Sequence, residues 1–178
     1  MESQKKYRPG FSFEFFPPKT DTGAEKLRAT RDELAQLNPR FFSVTFGAGG
    51  STRERTFDTV CEIQRDSGIE AAPHLSCVGS TRDSIRDILS LYKNEGIRHI
   101  VALRGDIPSG MGLPGEFRYA NELVDFIRAE TGDHFRIDVT AYPAFHPQAS
   151  TPGADLAHFR PQVAAGANSP TTQHFFTP

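Results

Sequence analysis

Phe11-Ser12-Phe13-Glu14-Phe15-Phe16-Pro17-Pro18 sets one carboxylate among phenylalanines and closes the run with two prolines. Aromatic content and a period of two predict a strand. Phe11, Phe13 and Phe15 fall on one face, and Ser12, Glu14 and Phe16 on the other. Glu14 then stands near the C-terminal end of an apolar strand, where desolvation is expected to raise its pKa and favour the protonated acid. Taken alone, the stretch fits an edge strand with Glu14 in water equally well, since exposed carboxylates far outnumber catalytic ones.

Similar strand patterns recur along the chain with helical ones between them. Gly23 to Leu37 predicts a helix with Leu27, Leu34 and Leu37 on one side, and Phe41 to Phe46 a second strand. After the turn Gly47-Ala48-Gly49-Gly50, Ser51 and Glu54 form a capping-box pattern for a helix carrying Phe57, Val60, Cys61 and Ile63. Ala71 to Val78 is the third strand. Ser80 or Thr81 caps a helix with Ile85, Ile88, Leu89 and Tyr92 at i, i+3, i+4 and i+7, ending near Gly96. His99 to Leu103 is the fourth strand, followed by a helix with Leu123, Val124 and Ile127. Ile137 to Tyr142 is the fifth strand. A helix through Leu156 and Val163 ends at Gly166, before a sixth strand around Thr171 to Phe176.

Strand starts recur every roughly 30 to 37 residues, the length of one β-loop-α-loop unit, which predicts a parallel sheet flanked by helices. An open doubly wound sheet and a (βα)8 TIM-type barrel both satisfy that alternation. The first βα turn reads Pro17-Pro18-Lys19 and lacks the glycine fingerprint of a dinucleotide-binding open sheet. Gly47 to Gly50 also lacks a P-loop's Gly-Lys-Ser/Thr ending, so it is weak evidence for phosphate.

Each strand delivers a polar or titratable group: Glu14, Thr45, His74, Asp106, Tyr142 with His146, and Gln173. Parallel α/β folds gather strand C-termini on one face, where active sites lie. Each residue alone has an ordinary structural role, such as a strand threonine, a core histidine or a turn aspartate. Six in register predict a concave site.

The formal charge of −2 gives no reason to expect nucleic acid or an anionic membrane as partner. Cys61 and Cys77 lack metal-ligand spacing and read as reduced thiols, and no metal site is expected. The polar segment Met1 to Gly10 lacks the apolar core of a signal peptide, and no apolar run approaches a bilayer's thickness. A cytoplasmic protein is expected.

Phe13-Glu14-Phe15-Phe16-Pro17-Pro18-Lys19, Ser43-Val44-Thr45-Phe46-Gly47-Ala48, Pro73-His74-Leu75-Ser76-Cys77, Leu103-Arg104-Gly105-Asp106 and Tyr142-Pro143 with His146-Pro147 together resemble methylenetetrahydrofolate reductase. Gly166-Ala167-Asn168 and Thr172-Gln173 continue the resemblance in order. It implies a flavoprotein barrel that passes hydride from NADH or NADPH through FAD to 5,10-methylenetetrahydrofolate, in one-carbon metabolism and methionine supply. Glu14 would be the acid that opens the folate ring, Asp106 would orient the pterin and tune the flavin, and Gln173 would pair with the pterin. Thr45 would serve both folate and flavin. The resemblance also assigns Ala48, His74, Arg104, Gly105, Asp106, Ala120, Tyr142, His146, Ala149 and Asp155 to the FAD site.

Two departures stand against it. Pro161 and Gln162 occupy positions where the family carries cations near the FAD phosphates, and Pro161 is expected to break a helix that contains it, at about 3 kcal/mol. A (βα)8 domain also takes about 250 residues, so residues 1–178 read as a single truncated barrel domain with about six strands. Its open edges would invite pairing with a further copy. The alternatives are a non-enzymatic remnant that binds FAD weakly or not at all, and an unrelated sugar-phosphate barrel.

Overall fold

The computed structural model describes residues 10–46, 50–105, 115–141, 151 and 159–172. Strand and helix alternate as β1 (Phe13–Phe15), α1 (Asp21–Ala35), β2 (Phe42–Val44), α2 (Gly50–Ser67), β3 (Ala71–Ser76), α3 (Arg82–Asn94), β4 (His99–Leu103), α4 (Ala120–Thr131), β5 (Arg136–Ala141) and β6 (Ser169–Thr172). All strand pairs are parallel, and the sheet order β1-β2-β3-β4-β5-β6 follows the chain. That order decides between the two architectures. A doubly wound sheet reverses its strand order partway, whereas a barrel lays each strand beside its predecessor. The fold is an incomplete parallel (βα)8 barrel with six strands among the described residues.

Two compact units divide the chain at Pro73 and His74, inside β3. In the first unit, α1 starts where Thr20 Oγ1 accepts from the Gly23 amide at 3.1 Å, with Asp21 favourably placed in the first turn. Its inward stripe is Leu27, Arg31 and Leu34, not the three leucines expected, and Leu37 lies past the helix end, exposed. Arg31 is buried because its guanidinium has partners, Asp32 at 2.8 Å and Asp66 on α2 at 3.2 Å. On β2 every residue is buried, and the Phe42 ring meets those of Phe13 and Phe15 at 6.2 and 5.5 Å. Since α2 begins at Gly50, Ser51 lies within the helix and is not its cap. Thr56, Thr59, Val60 and Ile63 are its buried residues, so two threonines take core positions expected for Phe57 and Cys61.

In the second unit, Thr81 caps α3 as expected: its side chain accepts from the Ser84 amide while Ser84 Oγ accepts from Thr81 N. Strand alternation separates an apolar face, with Leu75, Ile100, Ala102, Ile137 and Val139 fully buried, from one carrying His74, Ser76, His99, Asp138 and Ser169. The apolar residues of both β4 and α4, among them Leu123, Val124 and Ile127, form the core between them.

Residues 159–164 are helical straight through Pro161, whose carbonyl accepts from Ala165 N at 2.8 Å. The helix break expected there does not occur. β6 then begins at Ser169, two residues before the expected Thr171, because Arg128 fastens the preceding turn. Its guanidinium donates to Gly166 O at 2.8 and 3.1 Å, to Phe135 O at 2.7 Å and to Asn168 Oδ1 at 2.7 Å. Asn168 Oδ1 also accepts from the Ile137 amide at 2.7 Å, which sets the start of β6 against β5.

Candidate active site

In the first unit, Glu14 is the central residue of β1, in register with Ser43 and on the face opposite Phe13 and Phe15. It is exposed, which corrects the expectation of an apolar enclosure. The flanking phenylalanines turn toward Phe42, so the strand's own apolar surface points away from the carboxylate. Thr45 follows β2 directly. Its amide donates to Phe15 O at 2.9 Å, and its carbonyl accepts from the fully buried Thr56 Oγ1 at 3.0 Å. Ala48 lies outside the described residues.

In the second unit, His74 is not at a strand end. It is the fourth residue of β3, half-buried, in a row across the sheet with Val101, Asp138 and Ser169. Ser76 ends the strand on the same face. Arg104 and Gly105 leave the C-terminal end of β4, and the Arg104 Nε donates to Gly105 O at 3.3 Å. Gly105 has φ +83°, a conformation that suits glycine, and a Cβ there would lie 2.0 Å from Ser76 Oγ. Ala120 opens α4 and is buried. Asp106, Tyr142, His146, Ala149, Asp155 and Gln173 lie outside the described residues.

Cys77 follows Ser76. Burial, the main cause, pushes its thiol up to about 12, so the sulfur stays protonated and can donate. It faces Arg104 O at 3.6 Å and Tyr119 O at 3.9 Å. Among the described residues, no group of three or more His, Cys, Asp or Glu is placed to hold a metal.

A buried polar cluster escaped the sequence reading. His99 Nε2 lies 3.0 Å from Asp138 Oδ2, and both side chains are almost wholly enclosed. Ser169 Oγ donates to Asp138 Oδ1, and Arg136 Nη2 donates to Ser169 Oγ at 3.2 Å. Burial alone raises the Asp138 carboxyl. Hydrogen bonds from His99 and Ser169, with the charges of His99 and Arg136, outweigh it and hold the group below its ordinary value. His99, Arg136 and Ser169 are the first residues of β4, β5 and β6, so the cluster belongs to the N-terminal side of the strands, where barrels keep stabilising groups. An aspartate inside the apolar run Ile137-Asp138-Val139 was the available signal, because a parallel strand is buried on both faces and a carboxylate there needs partners.

No helix of the described residues is long and apolar enough to cross a membrane. Residues 1–178 match the family model described as methylenetetrahydrofolate reductase. The 5,10-methylenetetrahydrofolate reductase of Salmonella typhimurium is 48% identical over 165 residues, covering 93% of this chain and 54% of that relative. The probable methylenetetrahydrofolate reductase (NADH) of Oryza sativa subsp. japonica is 40% identical over 182 residues, covering 95% and 31%. This chain thus spans about half the length of the bacterial relative. The solved structure of QR15, an aldolase, matches with a TM-score of 0.62 at 12% identity, over 93% of this chain and 69% of that one, a likeness of fold alone.

Proposed function

This chain belongs to the methylenetetrahydrofolate reductase family, and on that premise we propose that the protein reduces 5,10-methylenetetrahydrofolate to 5-methyltetrahydrofolate with FAD as cofactor and NADH or NADPH as reductant. The rice relative is named for NADH. Residues 1–178 act as one barrel domain of a cytoplasmic enzyme.

The observation that carries this reading is the family match along the whole chain; Glu14 and His74 lie on strands of the parallel sheet, and Thr45, Arg104 and Gly105 directly follow strands. The donor set at the end of β4 suits FAD: a guanidinium from Arg104 and a glycine at Gly105 combine charge for a diphosphate with close backbone approach. His74, on the polar face two residues before Ser76, adds an imidazole, and Thr45 a hydroxyl. When bound, FAD would carry hydride between the nicotinamide and the folate. Ala48, Gly105, Ala120, Tyr142, His146, Ala149 and Asp155 complete its proposed site.

Glu14 donates the proton that opens the folate ring, and Asp106 and Gln173 orient the pterin. Glu14 is exposed on β1, on the face opposite Phe13 and Phe15, where a ligand can reach its carboxyl. Pro161 and Gln162 in place of two cations favour a remnant with weak FAD binding, whereas the unbroken helix through Pro161 removes the helix break expected there.

The test uses the full-length protein. Wild type is expected to purify yellow and to reduce the folate, and Glu14→Gln to keep its flavin band and lose folate reduction. A colourless wild type that cannot be reconstituted with FAD supports the remnant and overturns the assignment, as does wild-type turnover by Glu14→Gln.

A further inference from the structure

One main-chain oxygen beyond β4 receives three donors. The Arg104 carbonyl accepts from the Val78 amide at 2.9 Å, from Ser76 Oγ at 3.0 Å and from the Cys77 thiol at 3.6 Å. A ladder carbonyl normally takes a single amide donor, so the two side chains are additional. Ser76 ends β3 and Cys77 follows it, and both side chains reach the same oxygen. A peptide held by three donors resists rotation about its own axis.

The same hydroxyl constrains the far side of that peptide. Gly105 has φ +83°, and Ser76 Oγ occupies the place where a Cβ at this position would project, 2.0 Å away. Ser76 therefore bonds the carbonyl of one residue and packs on the α-carbon of the next. The Cys77 thiol extends the arrangement to Tyr119 O at 3.9 Å, the residue before Ala120. Three chain segments that are distant in sequence meet at the end of β3.

We propose that Ser76, with Cys77 behind it, is a positioning residue for the flavin site: it orients the Arg104–Gly105 peptide, and through it the Arg104 side chain. This rests on the flavin-dependent reading above. The plainer role for Ser76 is to satisfy one carbonyl at a strand end, with no effect on the cofactor. The two roles differ in what the hydroxyl does to flavin binding at constant fold.

The experiment compares Ser76→Thr with Ser76→Val in the full-length protein, two side chains of the same shape of which only threonine keeps the hydroxyl. FAD dissociation constant, the absorbance maximum of the bound flavin, kcat and KM, and thermal midpoint are measured for each. Val is expected to weaken FAD about tenfold, the size of one lost hydrogen bond, and to shift the flavin band, while Thr stays within about twofold of wild type. Equal FAD affinity in Val and Thr, whether or not Val melts earlier, overturns the proposal and leaves the flavin reading intact. A wild type that binds no flavin overturns both. Should Val not fold, Ser76→Ala replaces it in the same comparison with Thr.

Discussion

Asp138 and His99 make a buried carboxylate–imidazole contact, Oδ2 to Nε2 at 3.0 Å, that joins the middle of β5 to the first residue of β4. Ser169 and Arg136 hold the other carboxylate oxygen. Asp138→Asn removes the buried carboxylate that Ser169, Arg136 and His99 surround, so it is expected to cost about 3 kcal/mol in urea denaturation at neutral pH. The depressed carboxyl also sets a pH dependence. Its contribution is complete above the ordinary carboxylate value of 3.8 and is lost as pH falls below it through the folded-state value. Asp138→Asn should therefore show a shallower acid limb than wild type; an unchanged limb would assign acid sensitivity elsewhere.

Gly105→Ala introduces two costs. A φ of +83° disfavours any L side chain by about 1–2 kcal/mol, and the new methyl meets Ser76 Oγ. Stability is expected to fall by about 2 kcal/mol or more, with part of the loss recovered in Gly105→Ala combined with Ser76→Ala. Strict additivity in that double-mutant cycle would show that the hydroxyl does not press on this position.

Arg128 serves four acceptors, the carbonyls of Gly132, Phe135 and Gly166 and the Asn168 side chain, with one planar fork. Arg128→Met should cost about 3 kcal/mol by leaving several of them unpaired. Lysine keeps the charge but has no fork, so Arg128→Lys is expected to recover less than half of the loss. Full recovery by lysine would reduce the clamp to simple charge.

Thr56→Val keeps the shape of a buried side chain and removes its hydrogen bond to the Thr45 carbonyl. The expected loss is about 1–2 kcal/mol, with Thr56→Ser retaining the bond and losing only a methyl's packing. Denaturation midpoints of the two variants check this, and a valine protein as stable as wild type would remove the tether.

Cys77 should resist alkylation by iodoacetamide at pH 8 in the native protein, because the thiolate is the nucleophile and this thiol is held at about 12. In denaturant both Cys61 and Cys77 should label. Rapid native labelling of Cys77, mapped by peptide mass spectrometry, would contradict its enclosure at the end of β3.

Alternation of strand and helix, the parallel class and the strand positions were legible from periodicity alone, because period two and period 3.6 are local properties of a chain. His99 to Leu103 was located to the residue, and the Thr81 cap was read from the side chains that form it. Local pattern also misled in identifiable places. Leu37 completes an apolar spacing on paper, yet α1 has already ended, and Arg31 takes the buried position instead because acidic groups on α2 wait for it. Glu14 sits between Phe13 and Phe15 in sequence, yet alternation sends both rings to the other face, toward Phe42.

Only the tertiary structure decided the pairings that matter most: Ser76 with the Arg104 carbonyl, Thr56 with that of Thr45, and His99 with Asp138. Each joins residues of different segments; sheet register sets which meet for Ser76 and His99, and the packing of α2 against β2 does so for Thr56. A sequence repeats its apolar period at every turn, but a hydrogen bond requires one donor within about 3 Å of one acceptor. That condition is satisfied or missed by strand register and helix packing, which no single segment carries.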